Sequence, residues 1–150
     1  MPEQNITDSM DSTPRRFDVE LFIVHPSLGP AEISRALGME GHFTHRVGDQ
    51  RKTPNGTLLP GVYSDTRWRH SIRHTVTEQG FASRVVGFVE SLQCHKKFLA
   101  SLKGTGGSAT VIIQFLGDGY LADEIPPTTL AKLGELGLSL GIECFIDPQS

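Results

Sequence analysis

A chain of 150 residues has the usual length of one domain and is too short for two ordinary ones. Its residues are 37% hydrophobic and 21% charged, and the nine prolines and sixteen glycines follow no repeat, which excludes collagen-like, fibrous and wholly disordered proteins. The formal net charge of −3 lacks the excess of Lys and Arg found in proteins that coat nucleic acids or acidic membranes, so any such binding must be local.

The beginning of the chain, residues 1–15, is polar and partly acidic. It lacks the basic start and apolar stretch of a secretory signal, and no later apolar run reaches the length that spans a membrane. The two cysteines, Cys94 and Cys144, are far apart and form no C-x-x-C pair, which argues against a disulfide framework or a zinc ribbon. We therefore expect a flexible tail over 1–15, a single domain over 16–148, a reducing cytoplasmic location and no association with membranes.

The first predicted elements are a strand and a short helix. Apolar and polar side chains alternate over residues 16–24, which predicts a strand with one well-buried face. The apolar members of that face are Phe17, Val19, Leu21 and Ile23. Pro30 suits the first turn of a helix and Gly38 suits its end, so a two-turn helix is expected between them.

The middle of the chain combines turn-forming residues with arginines. Residues 43–48 are compatible with a second strand, and residues 49–61 contain Pro54-Asn55-Gly56 and Pro60-Gly61, which predict an arm or a long hairpin loop. Strict alternation over residues 66–75 predicts a strand. One of its faces carries Arg67, Arg69, Ser71 and Arg73, and the other carries Trp68, His70, Ile72 and His74.

The remaining elements complete an α+β pattern. Apolar residues at three- and four-residue steps over 81–102 predict one long amphipathic helix, and residues 109–116, apolar on both faces, predict a central strand. A further helix is expected after Pro127 and a last strand from residue 140. The order predicts a mainly antiparallel sheet backed by helices, with a ferredoxin-like βαββαβ core and an added αβ unit.

The six histidines do not predict a metal site. His70 and His74 would lie roughly 13 Å apart on one strand face. That is too far to share a zinc ion, whose nitrogen ligands lie at about 2.0–2.1 Å. His42 and His45 would fall on opposite faces of a strand, although a loop could bring them together. A second group, Asp118, Asp123 and Glu124, lacks the ligand spacing of a calcium loop, so solvated turn residues are expected there.

Two further motifs resemble catalytic or cofactor sites in composition alone. Cys94 and His95 are neighbours that would point about 100° apart on a helix and could not form a dyad. The glycine-rich run over 104–108 leaves the carboxyl end of a helix, whereas a phosphate loop leads into an amino end. We therefore expect no metal, no cofactor and no assigned catalytic residue.

The charge map contains the one positive signal for a binding site. Between His42 and His74 six Lys or Arg residues stand against two Asp residues, a net charge of +4 in a chain of net charge −3. This basic strand and arm is the predicted platform for a small anion or an acidic partner. Its candidate residues are Arg46, Asp49, Arg51, Lys52, Arg67, Trp68, Arg69 and Arg73. The alternative is a solvated outer face whose arginines discourage edge pairing.

The stretches PAEISRALGM and THRVGDQRKTPNGTLLPGVYSDTRWRHS resemble the bacterial family of uncharacterised proteins catalogued as domain of unknown function 4279. The resemblance runs from Phe17 to about Asp147 and rests on the order of elements, on Arg46-Val47-Gly48-Asp49 and on Trp68. It supports the α+β fold and implies a small bacterial accessory protein, for which an immunity or partner-binding role is conceivable. It transfers no activity to particular positions.

Three functional hypotheses follow. The leading one is a non-enzymatic binding module, acting alone or as a homodimer through a sheet edge or face, that engages a protein partner or a small anion. The second is nucleic-acid binding by the arginine face, which the scarcity of aromatic stacking partners disfavours because Trp68 is expected on the opposite side. The third is an enzyme whose site is assembled from distant residues such as His45, Asp49 and His70.

Overall fold

The computed structural model describes residues 15–77, 79–117 and 119–145. Within these ranges the chain forms seven strands, four α-helices and one 3-10 helix. In chain order they are β1 Arg16–His25, α1 Pro30–Leu37, β2 Phe43–His45, β3 Gln50–Lys52, β4 Leu58–Val62, β5 Thr66–Thr75, α2 Ala82–Ser91, the 3-10 helix Gln93–His95, α3 Lys96–Gly104, β6 Ser108–Leu116, α4 Pro127–Glu135 and β7 Ser139–Cys144. Apart from Arg15, the predicted tail over 1–15 lies outside the described residues, as do Asp118 and the predicted domain end at 148.

Five of the strands form one sheet in the order β2-β5-β1-β6-β7, and β3 and β4 form a separate two-stranded hairpin. All neighbours in the large sheet are antiparallel except β6 and β7, which are parallel. The predicted α+β class with a mainly antiparallel sheet is therefore confirmed. Strand β5 lies between β1 and β2, and β1 lies between β5 and β6, so another strand splits each of the first two βαβ crossovers.

The core lies between one face of this sheet and the helices. The four alternating apolar residues of β1 are fully buried, as their spacing predicted. They pack with apolar side chains from all four α-helices, represented by Ile33, Val85, Leu99 and Leu133. Burial of a large apolar side chain stabilises the fold by roughly 1.5–3 kcal/mol, so this single cluster supplies the main driving force for folding.

The prediction of one long helix over 81–102 is wrong, because the chain forms α2 and α3 with a 3-10 turn between them. The apolar repeat skips from Leu92 to Leu99, and both leucines are buried on either side of the break. At the break the Ser91 hydroxyl donates to the Phe88 carbonyl at 2.6 Å, a side-chain bond that competes with the helical hydrogen bonds. Among the described helices, none is long and apolar enough to cross a membrane.

A buried histidine joins the end of β1 to the loop before β6. His25 Nδ1 accepts hydrogen bonds from the backbone N–H groups of Ser27 and Leu28 at 3.0 and 2.9 Å. Its Nε2 lies 2.7 Å from the Thr105 hydroxyl, which donates to the Ser101 carbonyl. The ring is therefore neutral with its proton on Nε2, and protonation of Nδ1 would break two hydrogen bonds. Burial lowers the pKa of His25, and the nearby Glu32 only partly opposes this effect.

This lowered pKa predicts a loss of stability in mild acid. Below the ordinary histidine pKa of about 6.5 the unfolded chain takes up a proton that folded His25 does not, so stability falls between pH 7 and pH 5. Asn at position 25 keeps an acceptor near the Nδ1 position and does not titrate. Urea unfolding of the wild type and His25→Asn at both pH values should show a smaller loss for the variant. Equal losses would contradict the assignment.

The tryptophan of β5 lies in the core rather than on the surface. Trp68 is fully buried, and its indole N–H donates to the Ser34 hydroxyl of α1 at 2.9 Å. The chain passes closely over this ring at Gly41. A Cβ atom placed there would press against the indole and come within 2.6 Å of Thr44 Cγ2. The position therefore requires glycine for space.

Gly41→Ala should consequently destabilise the protein by about 1–3 kcal/mol, the usual effect of forcing an extra methyl group into a packed site. Gly87 is the matched control because it lies in the exposed interior of α2 with no other atom within 4 Å of an added Cβ. Gly87→Ala should stabilise by about 0.5–1 kcal/mol. Chemical denaturation measures both changes, and an unchanged Gly41→Ala variant would contradict the close approach.

Candidate anion-binding cleft beside the hairpin

The arginines of β5 lie on the sheet face opposite the helices, as their alternation predicted. The β1–β5 register places Asp18 opposite Arg73, and two guanidinium nitrogens of Arg73 contact the two carboxylate oxygens of Asp18 at 2.8 and 3.1 Å. Arg69 contacts Glu20 at 3.0 Å and Glu143 of β7 at 3.4 Å. We call these five residues the ion-pair ladder. The five residues lie on β5, β1 and β7, and Gln114 of β6, the strand between β1 and β7, donates to Glu143 at 2.9 Å.

The carboxylate of Glu20 is the most buried charge of the ladder, with a residue exposure of 3%. Burial raises the pKa of Glu20, and the positive charge of Arg69 opposes the rise, while Glu143 and Asp18 add to it. Arg69 also lies over the Phe22 ring, 4.8 Å from its centroid. Arg69 and Arg73 are thus paired with carboxylates of the same chain. The predicted platform therefore keeps only part of its charge free for a ligand.

Three other basic residues of the predicted platform have no such partner. Arg46, Arg51 and Lys52 are exposed, and in the described ranges no carboxylate comes within 4.0 Å of their charged groups. Arg46 lies beside Gly29 at the start of α1. Arg51 and Lys52 belong to β3. The unpaired positive charge therefore surrounds the hairpin and does not lie on the centre of the sheet.

The hairpin is held in place by its own backbone and by one tyrosine. Its turn closes through Thr53, whose N–H donates to the Thr57 carbonyl at 2.8 Å, while Gly56 adopts a φ of 91°. The Tyr63 N–H donates to the Asp49 carbonyl at 2.9 Å. The Tyr63 hydroxyl also lies 3.2 Å from both the N–H and the carbonyl oxygen of Lys52. Asp49 thus closes the base of the hairpin through its backbone.

A cleft of about 380 Å³ opens between this hairpin and the start of β5. Its lining residues are His45, Arg51, Val62, Tyr63, Ser64, Asp65 and Arg67. The His45 ring stacks on Tyr63 with centroids 3.7 Å apart and nearly parallel planes. Asp65 Oδ1 accepts from Arg67 Nε at 3.2 Å and lies 3.5 Å from His45 Nε2. The cleft is therefore lined by two arginines and one aspartate.

The candidate residues are divided among three places. Arg51 and Arg67 line the cleft, and Arg46, Asp49 and Lys52 lie around the hairpin without lining it. Arg69 and Arg73 belong to the ladder, and Trp68 belongs to the core. Of the lining residues, Val62, Tyr63, Ser64 and Asp65 were not predicted, and His45 was named only in the enzyme hypothesis. The position of residues 62–65 between the turn-rich arm and the arginine strand is the sequence signal that could have included them.

The two histidines of the enzyme hypothesis, His45 and His70, lie on opposite faces of the sheet. His45 pairs with Arg67 and so lies on the arginine face, whereas His70 lies on the opposite face with Trp68. His70 Nδ1 donates to the Glu40 carbonyl at 2.7 Å, and its ring stacks on His42 at 4.8 Å. Within the described ranges no group of three or more His, Cys, Asp or Glu side chains is placed to hold a metal ion. The proposed set of His45, Asp49 and His70 is therefore not brought together.

The ladder predicts very different roles for two neighbouring arginines. Arg69→Ala should destabilise by on the order of 3 kcal/mol, because it leaves the buried Glu20 without its cation. Arg67→Ala removes an exposed pair and should change stability by less than about 1 kcal/mol. The double variant Arg69→Ala/Glu20→Gln should recover part of the loss. Denaturant unfolding at pH 7 measures all three, and equal effects of the two single variants would contradict the ladder.

Comparison with known proteins identifies a family for this chain. The model of the family described as Domain of unknown function (DUF4279) matches residues 15–145, which include every described strand and helix. Comparisons with curated proteins and with solved structures found no match. The family match covers most of the chain, from the residue before β1 to the residue after β7. The chain therefore belongs to the DUF4279 family.

Proposed function

We propose that this protein is a non-enzymatic binding module whose hairpin cleft holds a small anion or the acidic group of a protein partner. The observation that carries the proposal is the placement of Arg51 and Arg67 in one cleft with a single carboxylate, Asp65. Because Asp65 lies against Arg67, the Arg51 guanidinium remains available to a ligand. A carboxylate or phosphate matches the fork of donors that a guanidinium presents.

The dimensions and rigidity of the cleft support a small ligand. A volume of about 380 Å³ is in the range of small-molecule sites, roughly 300–1,000 Å³. The stacked rings of His45 and Tyr63 and the bonds from Tyr63 to Lys52 hold the lining in place before a ligand arrives. Preformed sites bind more tightly because less conformational entropy is lost on binding.

The surroundings of the cleft favour a ligand that is partly apolar or belongs to a protein. Val62 of the hairpin and Phe43 of β2 are exposed by 60% and 61%. Such exposed apolar side chains beside a charged centre are typical of interaction sites. Burial of Trp68 and pairing of Arg69 and Arg73 remove the stacking and phosphate contacts that a nucleic-acid interface would use, so a small anion or partner is the better proposal.

The same proposal includes a bacterial accessory role in the cytoplasm. Cys94 and Cys144 are both exposed and free, and exposed thiols agree with a reducing compartment. An accessory protein of this kind would act by occupying its partner or by sensing an anion, and neither task requires a catalytic group. The proposal is therefore compatible with the dispersed histidines.

The test is a titration with citrate and with phosphate at constant ionic strength, followed by thermal unfolding and calorimetry. A saturating anion should raise the unfolding temperature of the wild type. By linkage, the free energy of unfolding should rise by about 2.7 kcal/mol at an anion concentration of 100 times Kd. Arg51→Ala and Arg67→Ala should each lose most of the shift. Lys52→Ala is the matched control, because it removes a neighbouring charge that does not line the cleft.

The comparison of the Arg51, Arg67 and Lys52 variants distinguishes a binding site from a general effect of positive charge. A shift that falls equally in the Arg51, Arg67 and Lys52 variants would show only screening of the basic arm. A wild type without any saturable shift for either anion would leave the acidic group of a protein partner as the ligand to test, with short Glu-containing peptides in the same assay. Failure of all three probes would overturn the proposal.

A further inference from the structure

In the part of the chain that the structure describes, the last strand of the sheet has a free outer edge. β7 comprises Ser139–Cys144 and is the terminal strand, paired in parallel with β6 over six residue pairs without a register shift. Among residues 15–77, 79–117 and 119–145 no strand pairs with its other side, so the backbone N–H and C=O groups there have no partner in another described strand. At the opposite end of the sheet, β2 has only three residues and is followed directly by the hairpin segment. The long regular edge of this sheet is thus β7.

This edge lacks the features that normally prevent pairing with another chain. Natural edge strands carry Lys, Pro, bulges or inward-pointing charges. β7 has the sequence SLGIEC, and its only charged residue is Glu143. The Glu143 carboxylate is held over the sheet face by Arg69 at 3.4 Å and Gln114 at 2.9 Å. The Glu143 charge therefore lies over the sheet face and does not prevent another strand from pairing with the edge.

The edge is also apolar where a neighbouring strand would contact it. Ile142 and Phe145 are exposed by 66% and 69%, and Cys144 is exposed as well. Large apolar side chains on a regular edge strand favour strand addition, because backbone hydrogen bonds and side-chain burial then act together. A solvated edge strand would be expected to carry polar residues at these positions.

We infer that β7 pairs with β7 of a second copy of this chain, antiparallel about a two-fold axis. In this arrangement two five-stranded sheets join into one continuous ten-stranded sheet, with the helices of both copies on the same side. Residues that face each other across the two strands must point to the same side of the sheet. One residue of β7 must therefore face the same residue of the second copy, with the axis midway between them. Cyclic dimers of this kind are the commonest oligomers.

The sequence of β7 is complementary to itself in one register. With the axis at Ile142, the two isoleucines face each other, Leu140 faces Cys144 of the second copy, and Gly141 faces its Glu143. The small Gly141 leaves room for the Glu143 side chain and its bonds to Arg69 and Gln114. An axis at Glu143 would place two carboxylates opposite each other, which is destabilising. An axis at Gly141 would place no side chain at the centre of the interface, whereas the Ile142 register brings the two exposed isoleucines together without opposing carboxylates. The distribution of apolar and charged side chains thus favours the Ile142 register, with a second copy as the occupant.

The first test is the mass in solution by sedimentation equilibrium. The wild type should have twice the chain mass of 16.4 kDa. Ile142→Lys should be monomeric, because two lysines would face each other at the axis. Leu58→Lys, which changes another exposed apolar residue on the hairpin, is the matched control and should remain a dimer. Circular dichroism and thermal unfolding verify that each variant is folded.

The second test locates the axis. In a background of Cys94→Ser and Cys144→Ser, Ile142→Cys should form a cross-linked dimer under mild oxidation, because facing residues of paired strands lie within disulfide distance. Leu58→Cys in the same background should not. A monomeric wild type, an Ile142→Lys dimer, or equal cross-linking of the two cysteine variants would overturn the inference.

The inference does not depend on the anion-binding proposal, and the same variants keep the two apart. Ile142→Lys should retain the anion-dependent thermal shift, because β7 does not line the cleft. Arg51→Ala should retain the dimer mass. Loss of one property without the other would therefore identify which of the two proposals fails.

Discussion

Strand β1 pairs along nearly its whole length with β5 on one side and β6 on the other, so the side chains on both of its faces are withdrawn from water. On the helix side this burial creates the core. On the other side it buries two carboxylates, Asp18 and Glu20. A buried charge is tolerated only beside an opposite charge or in its neutral form. The central position of β1 therefore requires cations on β5 that are close enough to reach these acids: Arg73 directly opposite Asp18, and Arg69 diagonally from Glu20.

This requirement explains why the arginines of β5 divide into two groups. Arg73 and Arg69 stand opposite or beside the buried acids and are neutralised by them. Arg67 lies at the start of β5, next to the hairpin, and pairs with the half-buried Asp65. The arginines that are paired with buried acids thus lie at the centre of the sheet. The positive charge that remains available to a ligand lies at its margin, with Arg51. The same division leaves Glu143 inside the ladder and the edge of β7 without a protecting charge.

The hairpin β3–β4 is attached to the large sheet mainly through Tyr63. Tyr63 binds the backbone of β3, stacks on His45 of β2 and follows directly on β4, so the hairpin is joined to the large sheet at one ring. Without this contact the two-stranded hairpin would be only marginally stable by itself. The shape of the cleft therefore depends on one aromatic residue in a segment that otherwise contains mostly polar and turn-forming residues.

The sequence by itself determined the strand over 66–75, the buried face of β1, the hairpin and the α+β class, because these depend on local periodicity and turn chemistry. It also placed Trp68 opposite the arginines. It could not show that helix 81–102 breaks, since a stripe with one long step between Leu92 and Leu99 fits either one helix or two. Only the tertiary structure decided which arginines are paired, because Asp18, Glu20 and Glu143 lie on strands that are far from β5 in the sequence. Their register, and not their spacing in the chain, brings opposite charges within hydrogen-bonding distance and leaves Arg51 free in the cleft.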